Sequence, residues 1–321
     1  MKKVPCLFKR CEIIEEGYYF FAAKPELLDD DEEFTRLFLF DSQDVNCKWR
    51  RIDIPGFEVA DICTLKNGPE SKRSYVAVSQ NGHVFHAWPG GELTEKIDGA
   101  GLDGSGVVYG YVDSILEVSN KLHACGGGGQ IYRRNESGWS DIAGSLRVET
   151  PLITQPLSVN LPVVGDVISA IDGYSLVDMY AAGLKGIYHF DGVEWRLCHS
   201  STDGIINHVN CTSDGIVWAC GYNGAILRGD FKVGFTDVGG YDTDVIFTKI
   251  VKLKNEIFLA SSDGLFTFNI EEGAKKIKKI PRIKDCEDVS SDGKSVLCVS
   301  RKKIYLLTNG LWSELKHPDN S

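Results

Sequence analysis

The sequence predicts an all-β fold, a seven-bladed β-propeller of four-stranded antiparallel blades, and three observations predict it. A unit made of a short apolar strand, a glycine turn, a second strand carrying an aromatic, a polar turn and a third strand that opens on an aromatic recurs along the chain, clearest in Leu122 to Ile142 and again around Trp218 and Tyr188. The glycine turns at Gly82, Gly129, Gly186, Gly224 and Gly264, with Lys303 at the matching place of the last copy, lie about 38 to 57 residues apart, a period that belongs to propellers rather than to shorter solenoid repeats. Apolar and polar residues alternate within each segment, and Gly, Asn or Asp punctuate the segments too often for long helices.

The elements follow in order. The first unit has Tyr18 to Ala23, Thr35 to Phe40 and Lys48 to Ile54, preceded by a strand around Pro5 to Ile13. The second holds Ser74 to Ser79, His83 to Trp88 and Leu93 to Ile97, and the third is introduced by Tyr111 to Val118. Units four to six surround Gly186, Gly224 and Gly264; the clearest, the fifth, reads Ile206 to Cys211, Ile216 to Gly221, Ala225 to Gly229 and Gly234 to Val238. The seventh closes with Ser295 to Ser300, Ile304 to Thr308 and Leu311 to Leu315, so that residues 1–321 are read as one domain. Trp49, Trp139, Trp195, Phe235 and Trp312 open the fourth strands, and the tryptophans are expected to be largely buried between neighbouring sheets.

With 43% hydrophobic and 25% charged residues the chain is ordinary for a globular protein. The start Met1 to Cys11 lacks the apolar core of a signal peptide, and no run reaches bilayer length, so a cytoplasmic protein with no membrane contact is expected. The ten cysteines contain no Cys-x-x-Cys pair, which argues against zinc or a disulfide framework. Cys125, Cys220 and Cys298 recur where Ala182 stands in another copy and are read as small core fillers.

Motifs for chemistry fail on context. Gly99 to Gly104 fits the dinucleotide fingerprint in letters but sits between strands with no following helix. The glycines 126–129 lack the Lys-Ser/Thr of a phosphate loop. His83 and His86 fall on opposite faces of one strand and cannot grip one metal. No nucleophile elbow occurs, and the repeated Asp-Gly pairs are turn chemistry. No catalytic residue, metal or cofactor is therefore expected. The basic run Lys275, Lys276, Lys278, Lys279, Arg282 and Lys284 reads as an exposed strand edge.

Three long connections, Lys24 to Glu33, Asp98 to Gly110 and Ser145 to Asp166, all leave their blades at the end where second strands turn into third strands and fourth strands lead to the next blade, because successive strands reverse direction. The first holds six acids and one base in a chain of formal net charge −10 and pI near 5.3, which disfavours nucleic acid and favours a basic protein partner. The residues expected to meet that partner are Glu26, Asp29, Asp30, Asp31, Glu32 and Glu33, then Asp98 and Asp103, then Arg147 and Glu149.

The pattern of apolar-Ala-x-Gly, Gly-x-Ile-Tyr and Gly-x-Trp resembles the BNR-like and photosystem-assembly-like propellers. The sialidase Asp box is not met, since Thr212 to Trp218 has its glycine one place early, and the WD40 dipeptides are missing. More narrowly, Gly17 to Ala23, Arg36 to Phe40, Ala124 to Gly126 with Gln130 to Arg134, and Trp218 to Gly224 resemble cytoplasmic bacterial propellers that act as immunity proteins against secreted antibacterial toxins of the type VI or Rhs kind. That resemblance implies a non-catalytic inhibitor that occludes the active site of a cognate toxin, a nuclease among the possibilities. The competing readings are a glycosidase or carbohydrate-binding propeller using the central channel, and an assembly scaffold. Oligomeric state and the identity of the toxin are left open.

Overall fold

The computed structural model describes residues 3–102, 109–147, 166–202, 204–239 and 244–320. Seven four-stranded sheets contain the strands in chain order. The first is β1 (Cys6–Glu15), β2 (Tyr18–Pro25), β3 (Phe34–Asp41) and β4 (Trp49–Pro55); the second β5 (Val59–Leu65), β6 (Ser74–Ser79), β7 (His83–Trp88) and β8 (Gly91–Lys96). The third is β9 (Val112–Val118), β10 (Lys121–Gly126), β11 (Ile131–Asn135) and β12 (Gly138–Asp141), and the fourth β13 (Ile168–Ser175), β14 (Asp178–Gly183), β15 (Gly186–Phe190) and β16 (Trp195–Leu197). The fifth comprises β17 (Ile206–Cys211), β18 (Val217–Gly221), β19 (Ile226–Asp230) and β20 (Gly234–Asp237). The sixth comprises β21 (Lys249–Leu253), β22 (Glu256–Ser261), β23 (Gly264–Asn269) and β24 (Lys278–Lys279); the seventh β25 (Asp288–Ser291), β26 (Val296–Val299), β27 (Ile304–Thr308) and β28 (Leu311–Leu315). This is the predicted β-propeller. Helix among the described residues is confined to five short 3-10 turns, so none is long and apolar enough to cross a membrane.

The glycine turns are required by geometry. Gly264 has φ of 133°, and a Cβ there would lie 2.5 Å from the Ile283 carbonyl oxygen, so only glycine lets the chain reverse between β22 and β23.

The chain divides into two units, Met1–Ile62 with Cys220–Leu227 and Asp237–Ser321, and Cys63–Ala219 with Arg228–Thr236. In the first, Phe8, Cys11, Phe21 and Phe38 pack against Leu297, Val299 and Ile304, and Phe258 and Leu265 pack against Val289, Val296 and Cys298. In the second, Val118, Cys125 and Ile131 meet Met179, Ala181, Tyr188 and Trp195. The three clusters join faces of the first and seventh, sixth and seventh, and third and fourth sheets, faces that the two-residue period of β-strands makes apolar. Cys125, Cys220 and Cys298 are fully buried, as small fillers should be.

The four tryptophans of the fourth strands are buried to different depths. Trp195 is 4% exposed and donates its Nε1 hydrogen to the Ile142 carbonyl at 2.9 Å. Trp49, Trp139 and Trp312 are partly buried, Trp49 against the cluster of Phe21, Phe38 and Phe40 and Trp312 against that of Phe258.

First strands of their sheets are tied to one another by carboxylates. Asp288 on β25 accepts the Cys11 N–H of β1 at 2.8 Å, and Asp172 on β13 accepts the Cys211 N–H of β17 at 2.7 Å. The Lys249 ammonium lies 2.8 Å from Asp288. Each such bond to a charged acceptor is worth about 1.5–3 kcal/mol.

Candidate partner-binding surface

The acidic turn joins β2 to β3. Its anchor is Lys24, which is buried at 8% exposure, donates from Nζ to the Asp30 carbonyl at 3.0 Å and lies 3.5 Å from Glu58 Oε2. A Glu32 N–H to Asp29 carbonyl bond of 3.1 Å shapes the turn. Held this way, Asp29, Asp30, Asp31, Glu32 and Glu33 are exposed side by side. None of the five is in an ion pair with a described residue.

Glu26 stands apart from them. Its carboxylate meets Lys302 at 2.5 Å and lines a recess of about 650 Å³ at the same end of the first, sixth and seventh sheets. The recess gathers Arg282 and Lys284 from the connection into β25 and Arg301, Lys302 and Lys303 from the turn between β26 and β27. That turn is closed by a Ser300 N–H to Lys303 carbonyl bond of 2.9 Å, while the Arg301 carbonyl accepts the Phe8 N–H at 2.8 Å. With the backbone fixed on both sides, three consecutive basic side chains point outward. Asp285 is the other carboxylate in the recess, and it accepts the Arg301 backbone N–H at 2.9 Å.

Of the remaining sequence-predicted residues, Asp98 is exposed in the turn after β8. Arg147 is committed internally: it pairs with Asp141 and lies over the rings of Tyr109 and Tyr132 at 4.2 and 5.0 Å. Asp103 and Glu149, with residues 103–108 and 148–165 of the two connections, lie outside the described residues.

The basic recess was hidden from the sequence because its two halves are separated by β25 and β26. One signal was present: Lys303 stands where other copies have the turn glycine, with Arg301 and Lys302 before it. The run 275–284 forms little strand, since β24 is only Lys278–Lys279, and its last two bases turn into the recess.

In the second unit a recess of about 550 Å³ lies beside the turns that carry Val177, Asp191 and Phe231. His189 Nε2 sits 3.0 Å from Asp178 Oδ1, and its ring stacks on Phe231 at 3.9 Å and 6°. Cys198 lines the same space, but burial, with a contribution from Asp230, pushes its thiol up to about 12. Burial thus disfavours the thiolate, the form in which a cysteine attacks. Among the described residues no three His, Cys, Asp or Glu side chains gather into a metal-holding set.

No family model matches the chain. Over 122 residues it is 34% identical to the immune protein Tsi7 of Pseudomonas aeruginosa, a stretch amounting to 37% of each chain, so the match spans little more than a third of that relative's length. The solved WD40 β-propeller domain of Doa1 superposes with a TM-score of 0.64 at 13% identity, over 100% of this chain and 96% of that one. The extracellular domain of BT3049 from B. thetaiotaomicron, described as a hybrid two-component system, gives 0.60 at 11% identity, over 94% and 40%. These two likenesses concern the fold, a β-propeller.

Proposed function

We propose that this chain is a non-catalytic immunity protein that acts in the cytoplasm, binding a cognate antibacterial toxin and covering its active site. The observation that carries the reading is the 34% identity to the immune protein Tsi7 over 122 residues. The surface supports it. Five neighbouring carboxylates, Asp29 to Glu33, are exposed without ion-pair partners, at low cost to the fold and with a field that draws in a basic partner. A nuclease, whose active site is built for phosphate, is the favoured toxin class. Asp98 and Asp103 on one connection, and Arg147 and Glu149 on another, are proposed as further partner contacts.

The test is to co-express the protein with the toxin encoded beside it, and to measure association of the purified pair. Replacing Asp29, Asp30, Asp31, Glu32 and Glu33 by their amides should leave folding intact, slow association about tenfold or more at low salt, and weaken protection of the cells. Wild-type binding and protection by that variant would remove the acidic turn from the interface. Failure of the unaltered protein to bind the neighbouring toxin would remove the immunity reading itself.

A further inference from the structure

The chain is acidic, yet residues 273–321 carry eleven basic residues against six acidic ones, and five of those bases meet in the recess beside Glu26. Two of the five are already engaged with carboxylates: Lys302 with Glu26 at 2.5 Å and Lys303 with Glu314 at 3.3 Å. Arg282 spends one Nη1 hydrogen on the Trp312 carbonyl at 2.8 Å and lies over the Tyr305 ring. The side chains of Lys284 and Arg301 are exposed and have no carboxylate partner among the described residues. Five cations against three nearby carboxylates, Glu26, Asp285 and Glu314, leave the recess electropositive, with Lys284 and Arg301 uncommitted.

We infer that this recess receives a short acidic segment of the protein partner, so that the docking surface is bipolar: carboxylates at Asp29 to Glu33, cations at Lys284 and Arg301, and the Glu26–Lys302 pair at the seam. The inference rests on the toxin-binding reading and adds the partner's chemistry: a basic face flanked by an acidic stretch. Opposite charges placed side by side fix orientation as well as rate, because a partner docked in reverse meets like charge at both places. Nucleic acid fits the recess poorly. Single strands are held by continuous basic tracks with aromatic platforms, whereas this volume is that of a small pocket. It also contains Glu26 and Asp285, and its aromatic, Tyr305, is buried.

The experiment uses the whole chain and a labelled peptide of ten alternating Asp and Glu residues, followed by fluorescence anisotropy at low and moderate salt, with a ten-nucleotide DNA strand in parallel. The peptide should bind, weaken as salt rises, and lose about tenfold or more in affinity in a K284E/R301E variant whose circular dichroism is unchanged. Glu26→Gln, which removes a carboxylate and frees Lys302, should strengthen binding about threefold. Absence of peptide binding, binding unchanged by K284E/R301E, or tighter binding of the DNA would each overturn the inference. The same variants titrated against the toxin separate the two readings. Peptide binding through the recess without any toxin binding would sink the immunity reading and leave the recess standing, while toxin affinity unaffected by K284E/R301E would sink the recess as a toxin contact.

Discussion

The carboxamide of Asn320 closes on the backbone of Cys6: its Oδ1 accepts the Cys6 N–H at 2.9 Å, and its Nδ2 donates to the Cys6 carbonyl at 2.8 Å. The same Nδ2 also reaches the Lys302 carbonyl at 3.0 Å. One side chain thus pairs with β1 as a neighbouring strand would, 314 positions away, beside the turn that bears the basic residues. Asn320→Ala should lower stability by about 1–3 kcal/mol, since it strands partly buried backbone groups. The midpoint of chemical denaturation measures this, and no shift would mean that water replaces the amide without loss.

Asp288 and Lys249 give a sharper test. Asp288 is buried and holds both the ammonium and the Cys11 N–H. Asp288→Ala leaves a cation without its nearest counter-charge and should cost about 3–5 kcal/mol, whereas adding Lys249→Met should recover part of the loss. A double variant as unstable as the sum of the two singles would argue that the groups act independently.

His317 makes stability depend on pH. Its ring packs at 4.4 Å from Phe38 and 4.5 Å from Trp49, Nδ1 accepts the Asp319 N–H, and burial pushes the imidazole down to about 4. The unfolded chain takes up this proton near pH 6.5, the folded one only near 4, so stability is full above 6.5 and falls as pH drops between those values. From pH 7.5 to 5 the loss from this residue is about 2 kcal/mol. His123, pushed down to about 3 by burial and the Arg133 charge, acts in the same direction; Asp172, pushed up to about 6 by burial, acts in the opposite one below pH 6. His317→Phe should flatten the curve by its share, read as the difference between the two pH profiles.

The tryptophans should divide by burial. Trp195→Ala is expected to cost about 3–5 kcal/mol, as core aromatic truncations do, and Trp312→Ala distinctly less. Trp139 donates Nε1–H to Glu95, whose carboxylate also receives Arg134 at 2.7 Å. Trp139→Phe should therefore lose about 1 kcal/mol through that bond. Equal losses at Trp195 and Trp312 would contradict the graded burial.

Strands were legible where alternation was bounded by turns on both sides. Ser74–Ser79, His83–Trp88, Ile304–Thr308 and Leu311–Leu315 fall where the pattern puts them, while β5, between Phe57 and the Lys66–Asn67 stretch, is not legible as a strand. The acidic turn was legible because its charges are consecutive. The recess, the Asn320 staple and the His189–Asp178 pair were not, since each joins residues from separate strands or connections and sequence spacing carries no trace of their meeting. The repeat marks where Trp49, Trp139, Trp195 and Trp312 stand, but not how deeply each is buried, which depends on the neighbours it meets.

All ten cysteines are free thiols, and they are unequally sealed: Cys47 is exposed, Cys198 and Cys211 are intermediate, and the other seven are buried. A small thiol reagent added to the native protein would mark Cys47 first, then Cys198 and Cys211, and reach the seven buried sulfurs only when the structure around them opens. Cysteines stand in strands of five of the seven sheets, so labelling followed in time by mass spectrometry would rank those blades by how readily each one opens.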